Sequence, residues 1–266
     1  MKKIRAFLRV FFLFLSMVTC AVPLYLSHAV RWLNDDLGLS LRSFVTRRWA
    51  KIAMWILGVR ITVKGTPPKP PFMLVSNHLS YIDIILLFSQ IDCVFVAKKE
   101  LASWPFIGML ITASGTIFVN RESRRDIPRV NALIAKNINK HHGLILFPEG
   151  TSTRGVEVMP FKPGLLQYPA SQQQEVSVAS IHYQTAPGDV PADISVCFWG
   201  DMAFPGHVPG LLQLSRIYAT VSFGQETVLD SDRKTLAQKS WQLVNELFVP
   251  VVTLEKEHDL SAELDF

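Results

Sequence analysis

The run SNHLSYID at residues 76–83 contains the first pair of residues that can do chemistry, His78 and Asp83. It directly follows an apolar stretch, and an offset of five residues does not place both side chains on one helical face. The spacing therefore predicts a histidine in a strand-to-helix loop and an aspartate in the first helical turn. There a carboxylate can bind one imidazole nitrogen while the other nitrogen takes a proton from a hydroxyl, as a general base. A helix-capping pair of Ser80 and Asp83 is the structural alternative.

Two further runs place anion-binding groups where strands are expected to end. Arg121 closes the segment GTIFVNR at 115–121, and a guanidinium can grip a phosphate through two parallel hydrogen bonds. The run FPEGTSTRG at 147–155, with a lysine beyond it, supplies a larger set of candidates: Glu149, Gly150, Thr151, Arg154 and Lys162. Glycine permits close backbone approach, and amide, hydroxyl and cationic groups bind anionic oxygens. The alternatives are a solvated helix start at the first run and an ordinary capped turn at the second.

The motifs of several other catalytic classes are absent from the sequence. It has no G-x-S-x-G elbow, no Walker lysine motif, no G-x-G-x-x-G and no H-E-x-x-H. His141 and His142 have no cysteine or paired carboxylates nearby, so no metal site is expected. The three cysteines lie far apart, at positions 20, 93 and 197, which favours a reducing, cytosol-facing compartment over a disulfide framework.

The elements that must position these residues alternate along the chain. Short apolar runs predict strands at Val59–Lys64, Phe72–Ser76, Val94–Ala97, Thr116–Val119, Leu144–Phe147, Val176–Gln184, Ile194–Trp199 and Arg216–Phe223. Helical periodicity predicts helices at Tyr81–Ser89, Ile127–His141, Pro163–Ala170 and Ser231–Leu247. The alternation predicts an α/β fold with a mixed, largely parallel sheet flanked by helices, whose ligands lie beyond the carboxyl ends of strands.

Charge is distributed unevenly along the 266 residues. Residues 1–64 carry a net charge of +9, whereas the other 202 residues carry −4. The chain is 49% hydrophobic and its mean hydropathy is +0.24. A basic segment filled with apolar and aromatic residues favours anionic lipid over nucleic acid as a partner, and a solvated basic face is the alternative. We therefore expect membrane-anchoring helices at 1–64, a globular domain at 65–250 after the breaker GTPPKPP, and an acidic tail at 251–266.

The N-terminal segment is expected to bind a membrane through two helices. Val10–Leu26 has no charged residue and is at the short limit for spanning a hydrocarbon layer about 30 Å thick. Basic residues flank it on both sides, so the positive-inside rule does not choose between a span and an interfacial hairpin. A second helix is expected at Ser40–Leu57, where tryptophans and cations suit the headgroup level. A secretory signal peptide cleaved after Ala29 is the competing interpretation.

Three of these runs together carry a family resemblance. NHLSYID at 77–83, GTIFVNR at 115–121 and FPEGTSTR at 147–154 resemble, in order and separation, motifs of the glycerolipid acyltransferases, the family of 1-acylglycerol-3-phosphate acyltransferases. KKELASWPFIG at 98–108 and an N-terminal membrane-binding helical segment are also similar to that family. The resemblance covers roughly residues 55–250.

The resemblance implies roles for the site residues. His78 is the base that deprotonates the acceptor hydroxyl, Asp83 is its partner, and no cofactor or metal takes part. Arg121 and the loop at Glu149, Gly150 and Thr151 would hold the acceptor's phosphate or neighbouring polar groups. Since a carboxylate cannot attract phosphate, Glu149 is expected to orient a cation or backbone donors instead.

The resemblance also implies a reaction and a location. The leading hypothesis is transfer of a fatty acyl group from acyl-CoA or acyl-carrier protein to lysophosphatidic acid, giving phosphatidic acid. The catalytic domain would lie on the cytosolic side of the inner membrane, where the thioester donor is found. The alternatives are another acceptor such as lyso-ornithine lipid, a non-catalytic membrane- or lipid-binding protein, and a secreted protein processed after Ala29.

Overall fold

Seven strands of the described chain form one sheet in the computed structural model, which describes residues 1–99, 102, 107–119 and 127–252. The strands are β1 (Val59–Lys64), β2 (Met73–Ser76), β3 (Cys93–Lys98), β4 (Ile117–Val119), β5 (Gly143–Leu146), β6 (Val176–Thr185) and β7 (Ile217–Val228). Their order is β1-β7-β6-β2-β5-β3-β4, and only the β6–β7 pair is antiparallel among these strands. The carboxyl ends of β2, β3, β4, β5 and β6 therefore share one edge of the sheet.

Helices cover both faces of the sheet. The helices of the described chain are α1 (Lys2–Leu33), α2 (Asp35–Leu57), α3 (Ile82–Gln90), α4 (Ile107–Ala113), α5 (Ile127–Asn137), α6 (Gln167–Gln172), α7 (Ala192–Ser195), α8 (Phe204–Gln213) and α9 (Arg233–Leu247), with a 3-10 turn at Pro163–Leu166. Alternate residues of β2 enter two cores: Leu74 packs with α2, α3 and α8, and Met73 and Val75 pack with α5 and α9. Burial on both faces explains why the central strands are almost continuously apolar.

The two N-terminal helices form a hairpin that is fixed to the sheet domain. The Asn34 side chain accepts the backbone N–H of Leu37 at 3.0 Å and so caps α2 at the turn. Arg9, only 7% exposed on α1, donates from Nη1 to the carbonyls of Leu212 and Leu214 at 3.1 and 2.7 Å, at the end of α8. These bonds satisfy carbonyls that a helix end leaves unpaired.

The opposite side of α1 is apolar and exposed. Large hydrophobic side chains project from it along most of its length, among them Phe7, Phe11, Phe14, Val18 and Val22. By length and composition, Lys2–Leu33 is the one helix of the described residues that could cross a membrane. The helix thus has one face bound to the sheet domain and one exposed apolar face.

Most predicted elements are present, and the mixed, largely parallel α/β fold is confirmed. The strand predicted at Ile194–Trp199 is wrong, because Pro191 precedes the short helix α7 and the Trp199 indole N–H donates to the Asp193 carbonyl at 2.8 Å. The helix predicted to reach His141 ends at Asn137, and α7 and α8 were not expected. Of the predicted tail, residues 253–266 lie outside the described residues.

Candidate active site

The site is built where three neighbouring strands end. β2 lies between β5 and β6, so its C-terminal loop is flanked by residues from both neighbours. The Asn77 side chain extends the β2–β6 pairing beyond the last strand residue: it donates to the Ile181 carbonyl at 3.0 Å and accepts the Ile181 N–H at 2.8 Å. This amide imitates one more residue of strand and fixes where the chain turns towards α3.

Asp83 lies fully buried in the first turn of α3 and accepts four hydrogen bonds. Oδ2 accepts from His78 Nδ1 at 2.7 Å and from the backbone N–H groups of Leu79 and Ser80 at 2.7 and 3.0 Å. Oδ1 accepts from the Tyr183 hydroxyl at 2.8 Å. A buried carboxylate is stable only when such donors replace water. The carboxylate has the capping geometry and the histidine contact together, so the two sequence interpretations are not exclusive.

His78 is held in one orientation with one nitrogen available. A carboxylate only accepts, so His78 Nδ1 carries the hydrogen shared with Asp83. The ring stacks on Phe147 of the next loop, with centroids 4.1 Å apart and planes 11° from parallel. The side chain is 19% exposed, and in the described part of the chain Nε2 has no hydrogen-bond partner. A fixed tautomer with a second ring nitrogen that no protein group occupies is what a general base requires.

Tyr183 is a site residue that sequence reasoning did not find. It is the last residue of the apolar run VSVASIHY on β6, and its side chain is fully buried. Burial raises the pKa of its phenol well above the ordinary value, and the nearby Asp83 charge adds to this, so the hydroxyl remains a donor. The available signal was a tyrosine at the end of a buried strand, because a buried phenol needs a polar partner.

Glu149 holds two backbone segments around His78. Its Oε1 accepts the His78 backbone N–H at 2.6 Å and its Oε2 accepts the Met159 N–H at 2.9 Å. The side chain is 2% exposed, and burial raises the pKa of Glu149 to about 8, although the two N–H donors oppose the shift. The glutamate therefore contacts backbone donors within the protein.

The loop at Gly150 and Thr151, which we call the glycine loop, lies next to Lys162, a cation predicted for the site from the sequence. Gly150 has φ +79°, a left-handed conformation that favours glycine, and a Cβ at this position would lie 2.8 Å from Lys162 Nζ. Lys162 and Thr151 are exposed. The loop is tied to the His78 loop by the Thr153 N–H, which donates to the His78 carbonyl at 2.9 Å. Lys162, Gly150 and Thr151 therefore lie on a loop bonded directly to that of His78.

Arg154 is engaged within the protein. Its Nε and Nη2 both donate to Asp193 Oδ2, at 3.1 and 3.0 Å, and its guanidinium lies 5.4 Å from the Trp199 ring centroid. Asp193 is almost completely buried, so its charge neutralises Arg154 at close range. Arg121 lies outside the described residues, two positions after the last residue of β4. The described residues contain no group of side chains suited to a metal ion.

A contact between Tyr81 and His207 links the turn between His78 and Asp83 to α8. The Tyr81 hydroxyl lies 3.0 Å from His207 Nδ1, both rings pack against Phe198, and the Tyr81 ring also packs against Phe204. The Phe198 N–H donates to the Leu79 carbonyl at 2.8 Å. The sequence assigned no role to His207; here it braces the turn between His78 and Asp83 from outside.

Comparison with known proteins decides the family. The model of a family described as Acyltransferase matches residues 60–183, which contain the His78 and Glu149 loops. A lyso-ornithine lipid O-acyltransferase from Pseudomonas aeruginosa is 30% identical over 205 residues, 77% of this chain and 78% of that protein. The chain belongs to the acyltransferase family. The resemblance of the three motifs to the glycerolipid acyltransferases is thereby confirmed.

Two further relatives of this acyltransferase show the range of the similarity. A lyso-ornithine lipid O-acyltransferase from Rhodobacter capsulatus is 35% identical over 170 residues, which cover 62% of this chain and 60% of that protein. A 1-acyl-sn-glycerol-3-phosphate acyltransferase from Neisseria gonorrhoeae is 27% identical over 175 residues, 65% of this chain and 68% of that protein.

A solved structure has the same fold. The crystal structure of the 1-acyl-sn-glycerophosphate acyltransferase PlsC from Thermotoga maritima matches with a TM-score of 0.60 at 20% identity, over 93% of this chain and 98% of that one. The match includes the N-terminal region as well as the sheet domain, since so little of either chain is left out.

Proposed function

We propose that this acyltransferase transfers a fatty acyl group from a thioester donor to a lysolipid hydroxyl, with His78 as the general base. The observation that carries the proposal is the 2.7 Å contact between His78 Nδ1 and a fully buried Asp83, in a histidine side chain that is 19% exposed. A non-catalytic lipid carrier has no need of an imidazole whose tautomer and ring plane are both fixed.

The proposed reaction is a direct transfer. The acceptor hydroxyl gives its proton to His78 Nε2 while its oxygen bonds to the thioester carbonyl carbon. The carbon–sulfur bond then breaks, and the leaving thiolate takes the proton back from the imidazolium. Asp83 stays ionised and stabilises the transient positive charge on the ring. The donor is acyl-CoA or acyl-carrier protein, and this chemistry needs no metal or cofactor.

Lysophosphatidic acid is the acceptor we propose first. Its phosphate would bind to Lys162 and the Gly150 and Thr151 loop, and Arg121, which lies outside the described residues, is proposed as a further ligand. The exposed ammonium next to Gly150, on a loop bonded to that of His78, supports this assignment. Glu149 shapes the loop through backbone contacts and does not meet the anion.

Lyso-ornithine lipid is the second candidate acceptor, and two observations favour it. The relatives from Rhodobacter capsulatus and Pseudomonas aeruginosa, at 35% and 30% identity, are named for that lipid. Moreover, Arg154, one of the cations expected to meet phosphate, is already neutralised by Asp193. A headgroup without phosphate needs fewer free cations at this site.

We further propose that the protein lies on the cytosolic face of the inner membrane, with α1 in the interface plane. The buried Arg9 and the carbonyls at the end of α8 bind α1 to the sheet domain, while its other face is apolar. Such a helix suits insertion into one leaflet better than an isolated span. Lysolipid would then enter the site from the leaflet and the thioester from the cytosol.

The test is acyl transfer by the purified full-length protein in detergent micelles. Labelled acyl-CoA and acyl-carrier protein are each offered with lysophosphatidic acid or lyso-ornithine lipid, at equal mole fraction. Product from lysophosphatidic acid that falls at least ten-fold in Lys162→Met supports the first acceptor. Product from lyso-ornithine lipid alone replaces it with the second, and no product from either acceptor with either donor contradicts the proposed reaction.

A further inference from the structure

A pocket lies at the edge of the sheet opposite to His78. It is bordered by α2, by the start of β3 at Cys93 and by Ser114 in the turn before β4. Since β2 and β3 run in the same direction, the first residue of β3 and the loop after β2 mark opposite edges. The pocket is therefore separate from the candidate active site.

Arg42 of α2 borders this pocket and carries a buried positive charge. Its side chain is 4% exposed, and its Nη2 lies 3.3 and 3.1 Å from the two ring nitrogens of His142. Burial lowers the pKa of His142 to about 3, so the ring is neutral and supplies no compensating charge. Burial also lowers the pKa of Arg42 to about 10, which leaves the guanidinium charged near neutral pH. In the described part of the chain, no carboxylate pairs with Arg42.

Further donors on the same helix lack partners. Thr46 Oγ1 and Arg47 Nε are buried without a hydrogen-bond partner among the described residues, and both residues border the pocket. The charge of Arg47 is balanced, because its Nη1 lies 3.1 Å from Asp92 Oδ2. Of the two arginines that border the pocket, Arg42 is therefore the one without a carboxylate ion-pair partner in the described part of the chain. Unpaired buried donors and an unpaired buried cation are both costly in an empty site.

We propose that this pocket, defined by Arg42, Thr46 and Arg47, binds one phosphate-type oxyanion. An acceptor with negative charge would satisfy the guanidinium of Arg42 and the two donors without partners at once. The group comes either from free phosphate or from the headgroup of an anionic phospholipid. The second source is in reach because α2 also exposes Phe44, with Arg48 stacked 5.1 Å from its ring centroid, at a position suited to the headgroup level.

The primary test is thermal unfolding of the full-length protein in uncharged detergent. Sodium phosphate replaces sodium chloride at constant ionic strength. We expect a saturable rise in the melting temperature, of about 3 °C or more at ten times the dissociation constant. The rise should disappear in Arg42→Met and persist in Arg48→Met, the matched control on the same helix. It should also persist in Lys162→Met, which separates this pocket from the proposed acceptor site.

A second variant covers the case in which Arg42→Met does not fold. Thr46→Val removes one buried hydroxyl with little change of shape, and the apparent affinity for phosphate should fall by about three- to ten-fold. A melting temperature of the unaltered protein that is the same in phosphate and chloride overturns the proposal. The proposal is also overturned if phosphate raises the melting temperature of Arg42→Met and of Thr46→Val by as much as it raises that of the unaltered protein.

The lipid source is tested with vesicles of phosphatidylcholine, with and without phosphatidylglycerol. If the headgroup occupies the pocket, added phosphate should raise the melting temperature less in vesicles with phosphatidylglycerol than in vesicles without it. The same difference is expected for Arg48→Met. If phosphatidylglycerol makes no difference, free phosphate is the ligand. Neither measurement depends on acyl transfer, so a failure of the phosphate pocket and a failure of the proposed function can be distinguished.

Discussion

Replacing Tyr183 by phenylalanine tests how the site keeps Asp83 in place. The phenol donates to Asp83 Oδ1 at 2.8 Å, whereas the other three donors all meet Oδ2. Tyr183→Phe keeps the ring and removes only the hydroxyl. It leaves one carboxylate oxygen, fully buried, with no donor in the described part of the chain.

The structure sets the magnitude of the loss. A hydrogen bond to a charged buried group contributes about 1.5–3 kcal/mol, so the free energy of unfolding should fall by that amount. We expect kcat to fall by roughly ten-fold, a smaller effect than loss of the base, because Oδ2 retains its three donors and the contact with His78. The KM for the lysolipid should change less than two-fold, since the Tyr183 side chain is fully buried.

The assay combines urea unfolding with initial rates of acyl transfer. Tyr218→Phe is the matched control, because its phenol is 43% exposed on β7 and makes no contact with Asp83. The control should stay within about 0.5 kcal/mol of the unaltered protein. If Tyr183→Phe keeps both full stability and full kcat, the inferred role of Tyr183 as a positioning residue is refuted.

Three other predictions concern the surrounding structure. Because burial raises the pKa of Glu149 to about 8, above the ordinary 4.5, the fold favours its protonated form. The contribution of Glu149 to the free energy of unfolding is therefore present below pH 4.5 and is lost as the pH rises to 8. Between these two pH values, the free energy of unfolding measured in urea should fall less for Glu149→Gln than for the unaltered protein. Arg9→Met removes the donor to two carbonyls at the end of α8 and should lower the free energy of unfolding by about 2 kcal/mol. The control Arg48→Met should lower it by under about 0.5 kcal/mol, and equal urea midpoints for the two variants would contradict the prediction. Gly150→Ala forces a side chain into a left-handed backbone and against a lysine ammonium, so kcat/KM should fall about ten-fold. Gly206→Ala, with open space around it, should retain full activity, and equal rates in both variants would count against the role of the glycine loop.

Local patterns were enough to predict the centre of the site. The offset between His78 and Asp83 predicts a loop and a first helical turn, and the structure has both, with the two side chains in contact. The central strands were recognised because burial on both faces makes them continuously apolar. These features depend on residues close together in the chain.

Distant contacts were out of reach of such patterns. Tyr183 meets Asp83 across 100 positions, and Arg154 meets Asp193 across 39, so neither partner is visible from sequence periodicity. The run at 194–199 has the composition of a strand, but Pro191 precedes the short helix α7 and the Trp199 indole N–H binds the Asp193 carbonyl. Likewise, Arg9 interrupts the apolar pattern of α1 because its partners are backbone carbonyls at the end of α8.

The most direct test of the account is the rate of acyl transfer by His78→Ala under single-turnover conditions, with His141→Ala as the control. Removal of a general base of this kind costs roughly 10²–10⁴-fold in rate. We predict a loss in that range for His78→Ala protein that is still folded by circular dichroism, and full activity for His141→Ala. A folded His78→Ala protein that transfers acyl groups at the unaltered rate would contradict the assignment of His78 as the base.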